Sequence, residues 1–269
     1  MMDLWKHGTV VVDDVALWYT RTGGDLPPLV LAHGFSDDGG CWAPFARRMA
    51  SRYDVVMVDA RGHGRSADPR TGYDAVTQAR DLAGVIDALG LGRPLVLGHS
   101  MGATTALALA GSRGDRLAAI MLEDPPPVWR PATGGFDPGR MHDWIVSLKR
   151  CTRDELIARE RTNNPAWPDD ELGPWADAKL RLSLHVIHRA DGITPDWPAL
   201  LAGVRCPALL ITGDPARGAL VDAAAAAQLR DMLPQLAIVH IAGAGHCIRR
   251  DRPATYEQGV RQFAAHTSA

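Results

Sequence analysis

Gly98-His99-Ser100-Met101-Gly102 joins an apolar run, Leu95-Val96-Leu97, to a segment that is apolar almost all round, Met101–Ser112. A serine on a sharp strand-to-helix corner presents its hydroxyl above a sheet, and glycines on either side keep the corner clear of side chains. The helix that follows points free N–H groups and the positive end of its dipole at developing negative charge. The N–H of Met101, next after the serine, is therefore a candidate oxyanion donor. Serine is a weak nucleophile until a base takes its proton. His246, in the flexible turn Gly243-Ala244-Gly245-His246 after the last strand-like run, is the candidate base. His99 adjoins the serine, but its side chain is expected to point away from that of Ser100, and His63 lies in a turn. The third member is a buried carboxylate that orients the imidazole. Two places offer one: the loop Thr212-Gly213-Asp214-Pro215, and Glu123-Asp124 at the end of an earlier apolar run.

The elements that must position these residues follow from periodicity. Thr9–Val12 and Ala16–Thr20 flank the turn pair Asp13-Asp14 and predict a hairpin. Leu29–Ala32, Asp54–Val58, Pro94–Leu97, Leu117–Leu122, Ala208–Ile211 and Ala237–Ile241 are short and apolar on both faces, as strands covered on each side must be. Helical patterns cover Trp42–Ser51, Tyr73–Leu89, Met101–Ser112, Asp222–Leu233 and Pro253–His266, with Asp222 as an N-cap and Pro253 in a first turn. This alternation predicts an α/β fold with a doubly wound, mostly parallel sheet, whose ligands bind beyond the carboxyl ends of the strands. Between Pro125 and Val204 the alternation lapses into prolines and helical patterns, with Trp129, Trp144, Trp167, Trp175 and Trp197 among them. We expect a core of residues 1–124 and 205–269 and a helical cap, 125–204, inserted after the strand ending near Glu123.

Four pieces stand in one order along the chain: His33-Gly34-Phe35, Asp59-Ala60-Arg61-Gly62-His63-Gly64-Arg65-Ser66, Gly98-His99-Ser100-Met101-Gly102 and Gly243-Ala244-Gly245-His246. In these the chain resembles the α/β-hydrolase fold superfamily of the serine type, over essentially everything outside the cap. Most members place the acid in a Gly-x-x-Asp after the penultimate strand, whereas here Gly213 is followed three residues later by Ala216. A minority place it after the strand preceding the cap, so the resemblance implies Asp124, with Asp214 and then Glu123 as alternatives. It also implies Phe35 as the second backbone oxyanion donor beside Met101. Serine at position 100 speaks against the aspartate-dependent dehalogenases and epoxide hydrolases of this fold. The expected function is hydrolysis of a carboxylic ester or lactone through an acyl-enzyme on Ser100. The alternatives are C–C hydrolysis of a diketone-like ring-cleavage product and, more remotely, a ligand-binding member without activity. Amide hydrolysis and perhydrolysis stay open.

The cap tryptophans suggest an apolar or aromatic substrate, with Trp129 and Trp144 as candidate contacts. The competing view is that they merely hold the cap together. This chemistry requires neither metal nor organic cofactor. His185 and His188 have no cysteine or acid at ligand spacing. Gly62–Ala67 fits a dinucleotide-binding pattern only weakly. The run Arg249-Arg250-Asp251-Arg252 is expected to be a solvated face, close enough to His246 to touch a substrate anion. Lys and Arg number 29 against 31 Asp and Glu, for a net charge of −2, so nucleic acid is not expected as a partner. With 46% apolar residues in 269, the chain can bury a sizeable core. No run reaches the roughly 18 apolar residues of a membrane span. The N-terminus lacks a signal-peptide plan, and Cys41, Cys151, Cys206 and Cys247 are widely spaced. A cytoplasmic location is therefore expected, while the oligomeric state stays open, a homodimer being one option.

Overall fold

Strand residues alternate between two apolar layers, and that alternation organises the molecule. A computed structural model describes residues 5–130 and 137–267. The hairpin is β1 (Lys6–Val12) and β2 (Val15–Arg21), turning through Asp13 and Asp14, both at positive φ. Next come β3 (Pro28–Ala32), α1 (Ala43–Met49), β4 (Asp54–Val58), α2 (Ala75–Ala88), β5 (Leu95–His99), α3 (Met101–Arg113) and β6 (Ala119–Glu123). The stretch after β6 holds α4 (Pro138–Lys149), α5 (Arg153–Asn163), α6 (Asp169–Arg181) and α7 (Trp197–Gly203). The chain ends with β7 (Ala208–Thr212), α8 (Ala223–Met232), β8 (Leu236–His240), the single turn α9 (Ile248–Asp251) and α10 (Pro253–Thr267).

The eight strands form one sheet in the order β1-β2-β4-β3-β5-β6-β7-β8. Only the pairings of β1 with β2 and of β2 with β4 are antiparallel. Val30, Val56, Val96, Ile120 and Leu210 face a core shared with α2, α3 and α8. Their neighbours Leu31, Met57, Leu97, Met121 and Leu209 face a second core with α1 and α10. Helices on both faces explain why β3 to β7 are buried along nearly their whole length, with polar residues only at strand ends. β8 departs from the expectation: as the edge strand it is half-exposed, and only Leu236 is buried. The predicted N-cap is present, since Asp222 accepts from the Ala225 N–H at 2.6 Å.

α7 packs along α3 so closely that a Cβ on Gly203 would strike the Gly111 carbonyl. α6 instead lies against α1 and the 3-10 turn Gly39–Trp42. Because β3, β5, β6, β7 and β8 run parallel, the loops bearing Phe35, Ser100, Asp124, Asp214 and His246 all leave one edge of the sheet.

Candidate active site

The corner at Ser100 is strained in the way its sequence predicts. Ser100 holds φ 52° and ψ −111°, a conformation that non-glycine residues rarely adopt. A Cβ on Gly98 would run into the backbone of Gly102, and one on Gly102 would strike the Ala32 carbonyl. Only glycine lets α3 start this close to β3 and β5. The Ser100 N–H donates to the Glu123 carbonyl at 2.9 Å, tying the corner to the end of β6.

One residue beyond β6, Asp124 is fully buried at φ 41°. Its Oδ2 lies 2.6 Å from His246 Nδ1. The carboxylate also accepts from the N–H groups of Leu220, at 2.9 Å, and Val221, at 3.1 Å. Nothing in the sequence pattern marks those two donors, which come from the loop before α8. Glu123 turns to the opposite side, accepting from the Arg249 N–H at 2.9 Å and the Tyr256 hydroxyl at 3.0 Å. Burial raises the pKa of Glu123, although Arg249 opposes the shift. Asp214 is engaged elsewhere: it faces His240 Nε2 at 3.0 Å and accepts from the Gly243 N–H at 2.6 Å, bracing the turn that delivers His246.

Three buried histidines shape the loop His33-Gly34-Phe35. The Ala60 N–H donates to His33 Nε2 at 2.9 Å, which leaves His33 Nδ1–H to donate to the Gly34 carbonyl at 2.8 Å. His63 Nε2 lies 2.6 Å from the Phe35 carbonyl and its Nδ1 2.7 Å from that of Arg61. Burial pushes both imidazoles down to about 4, and at His33 the Ala60 N–H, which needs an unprotonated Nε2, fixes the neutral form. His99 Nε2 meets the His246 carbonyl at 3.0 Å, and the two rings lie 4.8 Å apart. Burial, reinforced by His246, holds His99 well below the ordinary imidazole range. A Cβ on Gly34 would come within 2.7 Å of His99 Nδ1 and 3.6 Å of the Ser100 Cβ, so this loop lies directly beside the serine. Composition hints at none of these bracing roles. Adjacency to the functional residues was the one available signal.

The Trp129 indole N–H donates to the Ala225 carbonyl at 3.0 Å and the ring packs in the core with α8. Trp144 on α4 is 40% exposed. Trp197 lines a cavity of about 230 Å³ together with Tyr73, Gln78, Met101, Thr104 and Val128. The arginine run is corrected at its first two members: Arg249 and Arg250 are each 1% exposed and paired to buried carboxylates, so they are neither a solvated face nor free to meet a substrate anion, whereas Arg252 is exposed. His185 and His188 are partly exposed and engage the Asp68 carbonyl and the Asp191 carboxylate. Among the described residues no group of three or more His, Cys, Asp or Glu is disposed to hold a metal, and no helix is long and apolar enough to cross a membrane.

Comparison with known proteins agrees with this architecture. The chain is 29% identical over 247 residues to the N-formylmaleamate deformylase of Pseudomonas putida, covering 91% of each. It is 27% identical over 246 residues to an esterase of Escherichia coli, covering 88% of this chain and 92% of the other. The crystal structure of an N-formylmaleamic acid deformylase from Pseudomonas putida S16 superposes with a TM-score of 0.80 at 25% identity, over 95% of this chain and all of that one. The profile of the alpha/beta hydrolase family matches residues 29–258, and with the sheet order, the strained corner at Ser100 and these relatives it establishes that the chain belongs to that family and is a hydrolase.

Proposed function

We propose that the protein is a serine hydrolase cleaving a carboxylic ester or lactone through an acyl-enzyme on Ser100. The observation that carries this reading is the 2.6 Å contact between His246 Nδ1 and a fully buried Asp124, beside a serine at a strained strand-to-helix corner. Ser100 Oγ attacks the carbonyl carbon as its proton passes to His246 Nε2. Asp124 accepts from His246 Nδ1–H and stabilises the imidazolium. The N–H groups of Phe35 and Met101 hold the oxyanion. Collapse expels the alcohol, which takes the proton. Water, deprotonated by His246, then attacks the acyl-enzyme and the acid leaves with Ser100 restored.

The segment inserted between β6 and β7, 125–204, acts as a cap over the carboxyl edge of the sheet. Phe35 packs with Tyr73 and with Ile145, Leu182 and Val186 from that segment, which supports the reading. The cavity beside Met101 takes the apolar part of the substrate. Asp74 is the one charged residue among those described around it, so an uncharged group fits there better than a carboxylate. A second reading is hydrolysis of a small amide, favoured by the deformylase relative, whose N-formylmaleamate carries a carboxylate.

Acid release from matched lactones, open-chain esters and N-formyl amides, measured for wild type and Ser100→Ala, tests the proposal. Ester or lactone turnover lost in the variant supports it. Turnover confined to the amides moves the function to the second reading. No turnover of any member by folded wild type refutes both.

A further inference from the structure

α6 brings two charged side chains into the interior: Glu171 is 1% exposed and Lys179 3%. Lys179 Nζ donates to the Ser36 carbonyl at 2.8 Å and to Asp37 Oδ1 at 2.9 Å. Asp37 Oδ2 accepts from Arg249 Nη2 at 3.1 Å and Arg250 Nη2 at 3.0 Å, while Arg250 Nε reaches Glu171 at 3.1 Å. This buried set joins four pieces of chain: the loop after Phe35, the turn after His246, the end of β6 through Glu123, and α6. An ammonium taken out of water is costly even when paired, and an apolar side chain of the same length would fill the space more cheaply.

The same loop carries the Phe35 N–H. Three successive carbonyls there are held in turn. That of Gly34 accepts from the Asp37 N–H at 3.1 Å and from His33, that of Phe35 lies against His63, and that of Ser36 accepts from Lys179. The Phe35 N–H belongs to the peptide unit of the first, so its direction is set by how this turn is pinned. His33 and His63 belong to the core. Lys179 comes from the segment inserted between β6 and β7.

We propose that Lys179, working through Ser36 and Asp37, is a positioning residue for the oxyanion hole, so that the inserted segment contributes to rate as well as to substrate recognition. The inference rests on the hydrolytic reading of Ser100. Lys179 touches no reacting atom. It fixes the turn that aims the Phe35 N–H, and a donor misaimed by a fraction of an ångström loses much of its worth in the transition state.

The test compares wild type, Lys179→Met and Lys179→Arg on an ester that wild type hydrolyses. Two inhibitors accompany it: a trifluoromethyl ketone, which forms a tetrahedral adduct with Ser100, and the corresponding alcohol, which cannot. Lys179→Met should lower kcat by about ten- to a hundredfold, part of the loss seen when one oxyanion donor is removed. It should weaken the ketone by the same factor, leave KM and the alcohol's affinity within about twofold, and be partly rescued by Lys179→Arg. A merely structural lysine would lower the melting temperature while leaving kcat per folded molecule and the ketone-to-alcohol ratio unchanged, and that result overturns the proposal. If Lys179→Met does not fold, the charge-balanced pair Lys179→Met with Asp37→Asn carries the same measurements. Wild type that turns over no ester and binds no ketone refutes the hydrolytic reading instead, which keeps the two failures apart.

Discussion

His246 Nδ1 and Asp124 Oδ2 lie 2.6 Å apart across 122 residues of sequence, and the carboxylate's remaining capacity is filled by the Leu220 and Val221 N–H groups. Asp124 is thus held by backbone donors on both carboxylate oxygens as well as by the histidine. It can orient the imidazole without rotating away, and its complete burial keeps that interaction strong.

From this pairing, Asp124→Asn should lower kcat by about four orders of magnitude, as expected when the imidazole loses its orienting carboxylate. Asp214→Asn should cost far less, because Asp214 braces the Gly243 turn and faces His240 instead of His246. Steady-state kinetics on one ester, with active sites counted by the acylation burst, compares them. A larger loss for Asp214→Asn would reverse the assignment.

Gly102→Ala should destabilise the fold. A Cβ there would collide with the Ala32 carbonyl and stand 2.7 Å from that of His33, both backbone groups of the β3 end that cannot swing aside. Overpacking of this kind costs about 1–3 kcal/mol, read as a lower urea midpoint at unchanged slope. An unchanged midpoint would mean that α3 can shift away from β3.

The pH dependence of stability should carry the signature of His33, whose Nε2 accepts from the Ala60 N–H. Burial holds its imidazole down to about 4 in the folded chain, against about 6.5 when unfolded. Between those values the unfolded chain binds more protons, so this group's contribution rises with pH across the window and is lost as pH falls through it. The difference in unfolding free energy between wild type and His33→Gln should therefore grow from pH 4 to 6.5 and level off above 7. A flat difference across that range would show that His33 is not held neutral.

Arg250→Met should be among the more damaging single changes outside the reacting groups. Asp37 would keep Lys179 and Arg249, but Glu171 would lose the guanidinium it faces at 3.1 Å and remain buried. Removing one partner of a buried pair costs about 3–5 kcal/mol. Arg130→Met, at the exposed pair with Asp222, should cost about 1 kcal/mol or less. Denaturant unfolding of both variants reads the contrast, and equal losses would contradict it.

Much of this molecule is local in origin and was legible in the chain. Short β-branched runs can bury both faces only between helix layers, so β3 to β7 and their connecting helices followed from periodicity. Gly98 and Gly102 around Ser100, and Asp222 before an alanine run, carry their geometry in their own chemistry, and the structure repeats it. Other features belong to no short stretch. Arg249 and Arg250 look like a solvated face because a charge run ordinarily is one. They are buried only because Asp37, Glu123 and Glu171 arrive from elsewhere in the chain to face them. Which of Asp124, Asp214 and Glu123 meets His246 likewise depended on which way successive side chains turn as they leave β6 and β7, and on two backbone donors before α8 that carry no sequence mark. Local conformation is written in residue types and their spacing. Which distant charges meet is settled only when the sheet brings its strand ends to one edge.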